Sequence, residues 1–250
     1  MPRRRFFAPP SAFDSKLESV WLAADEARHL RDVLRLQPGD EVYVFDGAGK
    51  EFHCRVDRSE RNAAQLAVIA ETDPAKAESP LQITLGVALL KGEKFDLVVQ
   101  KATELGVTRI VPLVTKHADI RLRDTSDAAK RVTRWQRIAL EAAKQCGRAA
   151  IPEITLPVNF DSFVQEKGGD EMQLMFSERD GESLNAVDLS LSPKALTALI
   201  GSEGGWADEE IAGARAAGWR IITLGGRILR AETAAVAVAA LLQHRFGDLG

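Results

Sequence analysis

Two apolar runs that end in glycine turns constrain this chain more than anything else in it. ALTALI runs into LIGSEGG (Leu199 to Gly205), and RIITL runs into LGGRILRAETA (Leu224 to Ala234). Both runs are short, aliphatic and without sustained polar alternation, the pattern of strands covered on both faces in a parallel sheet. Each turn then sits at the carboxyl end of a strand, the edge where open α/β sheets bind ligands. Glycine there lets a ligand approach the peptide N–H and C=O groups closely. A pocket lined by main chain is expected. The second turn also carries Arg227, Arg230 and Glu232 into an almost wholly apolar helix (Ala234 to Leu242), and charges on the lip of a buried helix point to a task.

The remaining signals place these turns late in an α/β domain. ITLGVALL, RIVPLV, EITLPV and QLMFS read as further strands. Between them, GEKFDLVVQKATELG puts Phe95, Val98, Val99, Ala102 and Leu105 on one helical stripe, closed by Gly106. A longer helix from about Ser126 to Gly147 turns Val132, Trp135, Ile138, Ala139 and Ala142 inward. A short helix capped near Asn159 and another from Asp208 complete an α/β class with a mostly parallel sheet and helices on both faces. Before this domain, Ser19 to Thr72 reads as a small β-rich barrel. Asp25 is expected to cap a helix through Arg35 with Ala27, Leu30, Val33 and Leu34 on one face, followed by strands EVYVFD, EFHCRV and AQLAVIA. ETDPAKAESP is polar with two prolines, so the expected domains are residues 1–73 and 81–250, joined by a linker at 74–80.

Several function classes are disfavoured. No GxGxxG follows a strand, and GAGK (Gly47 to Lys50) lacks the first glycine and the Ser/Thr of a phosphate loop, so it reads as a hairpin. Cys54 and Cys146 make no CxxC pair and the four histidines are scattered, which supports neither a disulfide framework nor a metal site. No apolar run approaches membrane-spanning length and MPRRRFFAPPS has no signal-peptide core, so no membrane partner is expected and the location is expected to be cytoplasmic. A formal charge of -3 across 250 residues argues against a globally basic coat. Arginine is nonetheless clustered early, at Arg3, Arg4 and Arg5, at Arg28, Arg31 and Arg35, and at Arg121, Arg123, Lys130, Arg131, Arg134 and Arg137. These are solvated faces or RNA contacts, and the N-terminal arginines with Phe6 and Phe7 offer both phosphate pairing and base stacking.

Taken together, HLRDVLRLQPGD, KGEKFDLVVQKATELGVTRIVPL, RWQRIALEAAKQCGR, LIGSEGG, LGGRILRAETA and the final RFGDLG resemble the ribosomal RNA small subunit methyltransferase E family along nearly the whole chain. Each motif is modest, and six in order are specific. The resemblance implies a PUA-like RNA-binding barrel followed by a SPOUT methyltransferase domain whose late loops form a trefoil knot. It implies a homodimer that uses S-adenosylmethionine to methylate N3 of one uridine in the 16S RNA of the small ribosomal subunit.

Carried onto this chain, the resemblance places the cofactor among Phe176, Ser177 and Glu178, the turn of Ile200, Gly201, Glu203, Gly204 and Gly205, and the turn of Leu224, Gly225, Ile228, Leu229 and Arg230. Ser177 and Ser202 stand where the family usually has proline, which bears on the rigidity of both turns. Glu232 is the candidate base, with Arg230 orienting it or stabilising charge on the uracil carbonyls; the other reading makes Glu232 a helix cap paired with an arginine. Arg5, in the RFF segment and from this subunit or its partner, is the candidate for holding the target phosphate or uracil oxygen, against simple solvation. Gln145 and Arg148 are expected beside the substrate, with Arg3, Arg4, Arg28, Arg31 and Arg35 on the RNA. Cys146 is expected to be a small core residue, since N3 needs no covalent adduct. Lys91 and Glu93 contact RNA or only begin a helix. From the residues alone, two other classes stay open: a non-catalytic RNA-binding or ribosome-assembly protein, and an α/β enzyme acting on a small phosphorylated metabolite.

Overall fold

A computed structural model describes residues 3–118, 120, 122, 124–166, 172–187 and 193–250, so Arg121 and Arg123 lie outside the described residues. The chain forms two compact units, Met1–Glu78 with Leu140–Ile151, and Ser79–Ala139 with Pro152–Gly250.

The first unit contains β1 (Arg5–Phe7), β2 (Ser19–Leu22), α1 (Ala24–Arg28), β3 (Glu41–Phe45), β4 (Glu51–Ser59) and β5 (Ala64–Thr72). The strands form one sheet in the order β1-β3-β4-β5-β2, a half-barrel whose core gathers Phe6, Val20, Leu22, Leu30, Val42, Val44, Phe52, Cys54, Val56 and Leu66. Three expectations need correction. Phe6 and Phe7 do not stand free for base stacking: RFF is β1, paired in parallel with Tyr43, Val44 and Phe45, and Phe6 is fully buried while the Phe7 ring packs on Phe45. Alternation in three residues leaves one inward position, and phenylalanine at it gains more from burial than from waiting for a base. Asp25 does not cap the helix. The N-cap is Ala23 without a side-chain bond, and Asp25 pairs instead with Arg28 at 3.0 Å. Nor does one stripe run through Arg35, because the helix widens into a π turn over His29–Val33. That widening rotates the register, so Ala27 and Leu30 are buried whereas Val33 is 64% exposed and Leu34 38%. GAGK is the β3–β4 hairpin, with Asp46 Oδ1 accepting from the N–H groups of Ala48 and Lys50.

The second unit alternates strand and helix: β6 (Gln82–Ala88), α2 (Lys94–Glu104), β7 (Arg109–Val114), α3 (Thr125–Cys146), β8 (Glu153–Ile154), β9 (Val158–Asn159), α4 (Phe160–Gln165), β10 (Met172–Phe176), β11 (Glu182–Ser183), β12 (Ala195–Ile200), α5 (Asp208–Ala216), β13 (Arg220–Thr223) and α6 (Ala231–Phe246). From Leu140 onward, α3 groups with the first unit. The sheet order is β11-β13-β10-β12-β6-β7-β8, with β9 beside β7 and every pair parallel. α4 and α5 bury Phe160, Phe163 and Ile211 against Val111, Leu113, Met175, Leu199 and Ile221, while α6 packs on β12, β6 and α2. Asn159 caps α4 by accepting from the N–H groups of Asp161 and Ser162. The expected α2 stripe holds at Phe95, Val98, Val99 and Ala102. Among the described residues no helix is long and apolar enough to cross a membrane.

Candidate active site

β10, β12 and β13 are adjacent parallel strands, so the turns after them emerge at one edge of the sheet. Between those turns lies a cavity of about 590 Å³, within the few-hundred to ~1,000 Å³ range of pockets that enclose a small ligand. Phe176, Ser177 and Glu178 line it from the first turn, Ile200 to Trp206 from the second, and Thr223 to Ala231 with Ala234 from the third. All thirteen residues expected around a cofactor are therefore among those brought together. Trp206, Thr223, Gly226, Ala231 and Ala234 were not anticipated. The signal for Trp206 was in view, a large aromatic directly after GSEGG, but its direction was not.

Trp206 is the internal post of this site. Its ring is buried at 1% exposure, and Nε1 donates to the Phe176 carbonyl at 2.8 Å, joining the second turn to the first. A Cβ on Gly201 would lie 3.2 Å from that ring, so Gly201 is small to accommodate the tryptophan as well as any ligand. Gly225 differs: nothing lies within 4 Å of its Cβ position, and its φ of +54 is what demands glycine. The two serines do not loosen their turns. Ser202 Oγ donates to the His117 carbonyl at 3.0 Å, Ser177 Oγ accepts from the Arg179 N–H at 3.2 Å, and the Ser177 N–H reaches the Ile222 carbonyl at 2.9 Å. The hydroxyls and main chain supply the bracing.

Charge is distributed around the rim. Glu178 sits beside Gly205, with Arg179 reaching Asp208 and the Trp206 carbonyl. Glu203 accepts from Lys94 Nζ at 2.8 Å. Arg230 is the N-cap of α6 and Glu232 its second residue, flanked by the pocket-lining Ala231 and Ala234. Glu232 Oε2 is buried and has no hydrogen-bond partner among the described residues. A negative charge in the first turn also suits the helix dipole, so capping and proton transfer remain compatible at this position. The lining presents two carboxylates, Glu178 and Glu203, and two arginines, Arg227 and Arg230, to whatever the main-chain cradle holds.

The residues expected on RNA fall in the first unit. Arg4, Arg28 and Arg35 are exposed, as is Gln145, while Arg31 is tied to Asp32 and to the carbonyls of Glu60 and Arg61. Arg3 pairs with Glu51 at 3.2 Å and lies over the Tyr43 ring. Arg5 is only 8% exposed: Nη2 donates to Glu51 Oε2 at 2.9 Å and to the Arg148 carbonyl at 3.0 Å, and its guanidinium covers the Phe45 ring. Arg148 is likewise buried and bonded to Glu78. Lys91 and Glu93 are exposed ahead of α2. Cys146 is half-buried, its thiol directed at the Ala143 carbonyl, and burial pushes the Cys54 thiol up to about 12.

Comparison with known proteins gives a consistent picture. The family described as an RNA methyltransferase domain matches residues 77–243, and an RNA methyltransferase PUA domain matches residues 22–69. A ribosomal RNA small subunit methyltransferase E from Synechocystis is 35% identical over 237 residues, spanning 94% of this chain and 75% of the relative. Its counterpart from Buchnera aphidicola of Acyrthosiphon pisum is 30% identical, spanning 94% and 92%. Among solved structures, a ribosomal RNA small subunit methyltransferase E from Neisseria gonorrhoeae bound to S-adenosyl methionine superposes over 100% of both chains with a TM-score of 0.87 at 33% identity. A Legionella pneumophila methyltransferase in complex with the same cofactor does so with a TM-score of 0.88 at 32% identity.

Proposed function

This chain belongs to the ribosomal RNA small subunit methyltransferase E family, and on that premise we propose that it methylates N3 of a uridine in 16S ribosomal RNA. Its activity is that of an S-adenosylmethionine-dependent methyltransferase acting on the RNA of the small ribosomal subunit. The cavity at the ends of β10, β12 and β13 is the observation that carries the site: its size and main-chain lining fit the donor, and Glu178 and Glu203 suit its positive charge and ribose. Peptide groups of Ile200, Gly201, Gly205, Leu224, Gly225, Ile228 and Leu229 hold the adenine and methionine portions, and Glu203 accepts from the ribose hydroxyls.

When bound, the donor supplies a methyl group already activated by its sulfonium, so the protein must align a nucleophile and deal with one proton. Uridine N3 is weak while protonated. Glu232 offers Oε2, which has no hydrogen-bond partner among the described residues, to the N3 proton, and Arg230, at the N-cap of the same helix, steadies the negative charge that spreads onto the uracil carbonyls. Alignment of N3 with the methyl supplies much of the remaining acceleration.

The RNA is engaged by residues 1–73 through exposed arginines such as Arg4, Arg28 and Arg35, with residues 81–250 as the catalytic part. Arg5 braces the end of α3 through the Lys144 and Arg148 carbonyls, where Gln145 is exposed and available to RNA. The active species is a cytoplasmic homodimer, with exposed Ile228 (86%) and Leu241 (40%) available to a second copy, and the late turns are knotted. Incubation with small subunits lacking the modification and with labelled donor, followed by mass spectrometry of the nucleosides, tests the central claim. Label in 3-methyluridine supports it. Label on a carbon or a ribose oxygen overturns it.

A further inference from the structure

The segment KGEKFDLVVQK opens with charges that this reaction leaves unused. Lys94 is the first residue of α2, and its ammonium donates to Glu203 Oε1 at 2.8 Å across 109 positions of sequence. Topology brings them together. α2 follows β6 and α6 follows β13 in one all-parallel sheet, and the two helices pack against each other, so both begin at the edge that carries the cavity. Glu203 lines that cavity and Lys94 stands behind it. Two more charges act on the same ammonium, Glu232 attracting it and Arg230 opposing it. The hydrogen bond to Glu203 is the main reason Lys94 holds its proton more firmly than an ordinary lysine, with partial loss of water working the other way.

This pair contributes little to holding the fold. Its side chains are 36% and 28% exposed, and water screens ion pairs at such positions so that they stabilise a fold little. Its effect is geometric. A glutamate on the lip of a glycine turn samples several rotamers, and a charge-assisted hydrogen bond from a helix start selects one of them before any ligand arrives.

We propose that Lys94 is a positioning residue for the methyl donor: by fixing Glu203, it presents that carboxylate to the donor's ribose hydroxyls and extends the donor site onto α2. The proposal rests on the reading that the three-turn cavity holds the donor. Calorimetry on the full chain with S-adenosylhomocysteine, the demethylated donor, tests it. Lys94→Met and Glu203→Gln should each weaken binding about five- to tenfold, and the double variant should be no weaker than the worse single one, as for residues acting through one contact. Lys94→Arg should lie within about twofold of the parent, because a guanidinium can still reach the carboxylate. Thermal unfolding of all four should coincide within about 2 °C, which separates positioning from general loss of structure. Parent affinity in Lys94→Met, or losses that multiply in the double variant, overturns the proposal. Failure of the parent protein to bind would remove the cavity reading itself, a different result.

Discussion

At the scale of single residues, Glu232 and Gly201 make opposite demands on experiment. Glu232→Gln keeps the shape and the helix start but removes the proton acceptor. Donor affinity should stay within about twofold while single-turnover transfer slows by about 10²-fold or more, the usual contribution of a positioned base. An unchanged rate would leave Glu232 as a helix-start carboxylate only. Gly201→Val places its Cβ where the Trp206 ring lies 3.2 Å away. The ring must move, and with it the Nε1 bond to the Phe176 carbonyl that ties two of the three turns. Donor binding should fall below detection by calorimetry, together with a changed Trp206 fluorescence spectrum. A variant that binds normally with an unchanged spectrum would show that the post is dispensable. The main-chain cradle was legible from sequence because two glycine turns follow aliphatic strands. Lys94 and the direction of Trp206 were not, since partners 109 positions apart leave no local period.

At the scale of elements, legibility followed length. The four-position α2 stripe and the strands β6, β7, β10 and β12, each of five or more residues, read directly from their period, and Asn159 read as a cap from its residue type. β1 has three residues and β11 two, too few to show any period, and the π turn at His29–Val33 broke the period that would have extended α1. The bend leading into β2 offers a check by pH. Asp14 accepts from the Ser19 hydroxyl and from the N–H groups of Glu18 and Lys16, and these bonds, that from Ser19 foremost, lower its carboxyl from 3.8 to about 2. Because the folded value is depressed, the stabilisation from this bend is fully present above the unfolded value and is lost as pH falls through about 2. An NMR titration of Asp14 should find its midpoint near 2, and Ser19→Ala should move it upward; a midpoint at the ordinary aspartate value in the parent would show that the bend does not hold its carboxylate.

At the scale of the whole molecule, the question is which arginines of the first unit belong to RNA and which to the fold. Sequence treats Arg3 to Arg5, Arg28 and Arg35 alike as basic residues near aromatic ones. Burial sorts them. Arg5 at 8% exposure faces Glu51 at 0%, so Arg5→Ala would strand a buried carboxylate at a cost of about 3–5 kcal/mol, moderated by Arg3 and the Ala75 N–H, which also bond Glu51. Removing residues 1–7 would go further and delete β1 itself, with the buried Phe6. Both changes should lower the thermal midpoint by several degrees, so any loss of RNA binding they cause would follow from lost structure. Arg28→Ala with Arg35→Ala should leave the midpoint unchanged and reduce the slope of log affinity against log salt by about 0.7–0.9 for each phosphate contact removed. The discriminating measurement is therefore salt dependence read alongside unfolding. A flatter slope with an intact fold places the phosphate contacts on the α1 side of the half-barrel, whereas an unchanged slope in the double variant would return those arginines to the solvated surface.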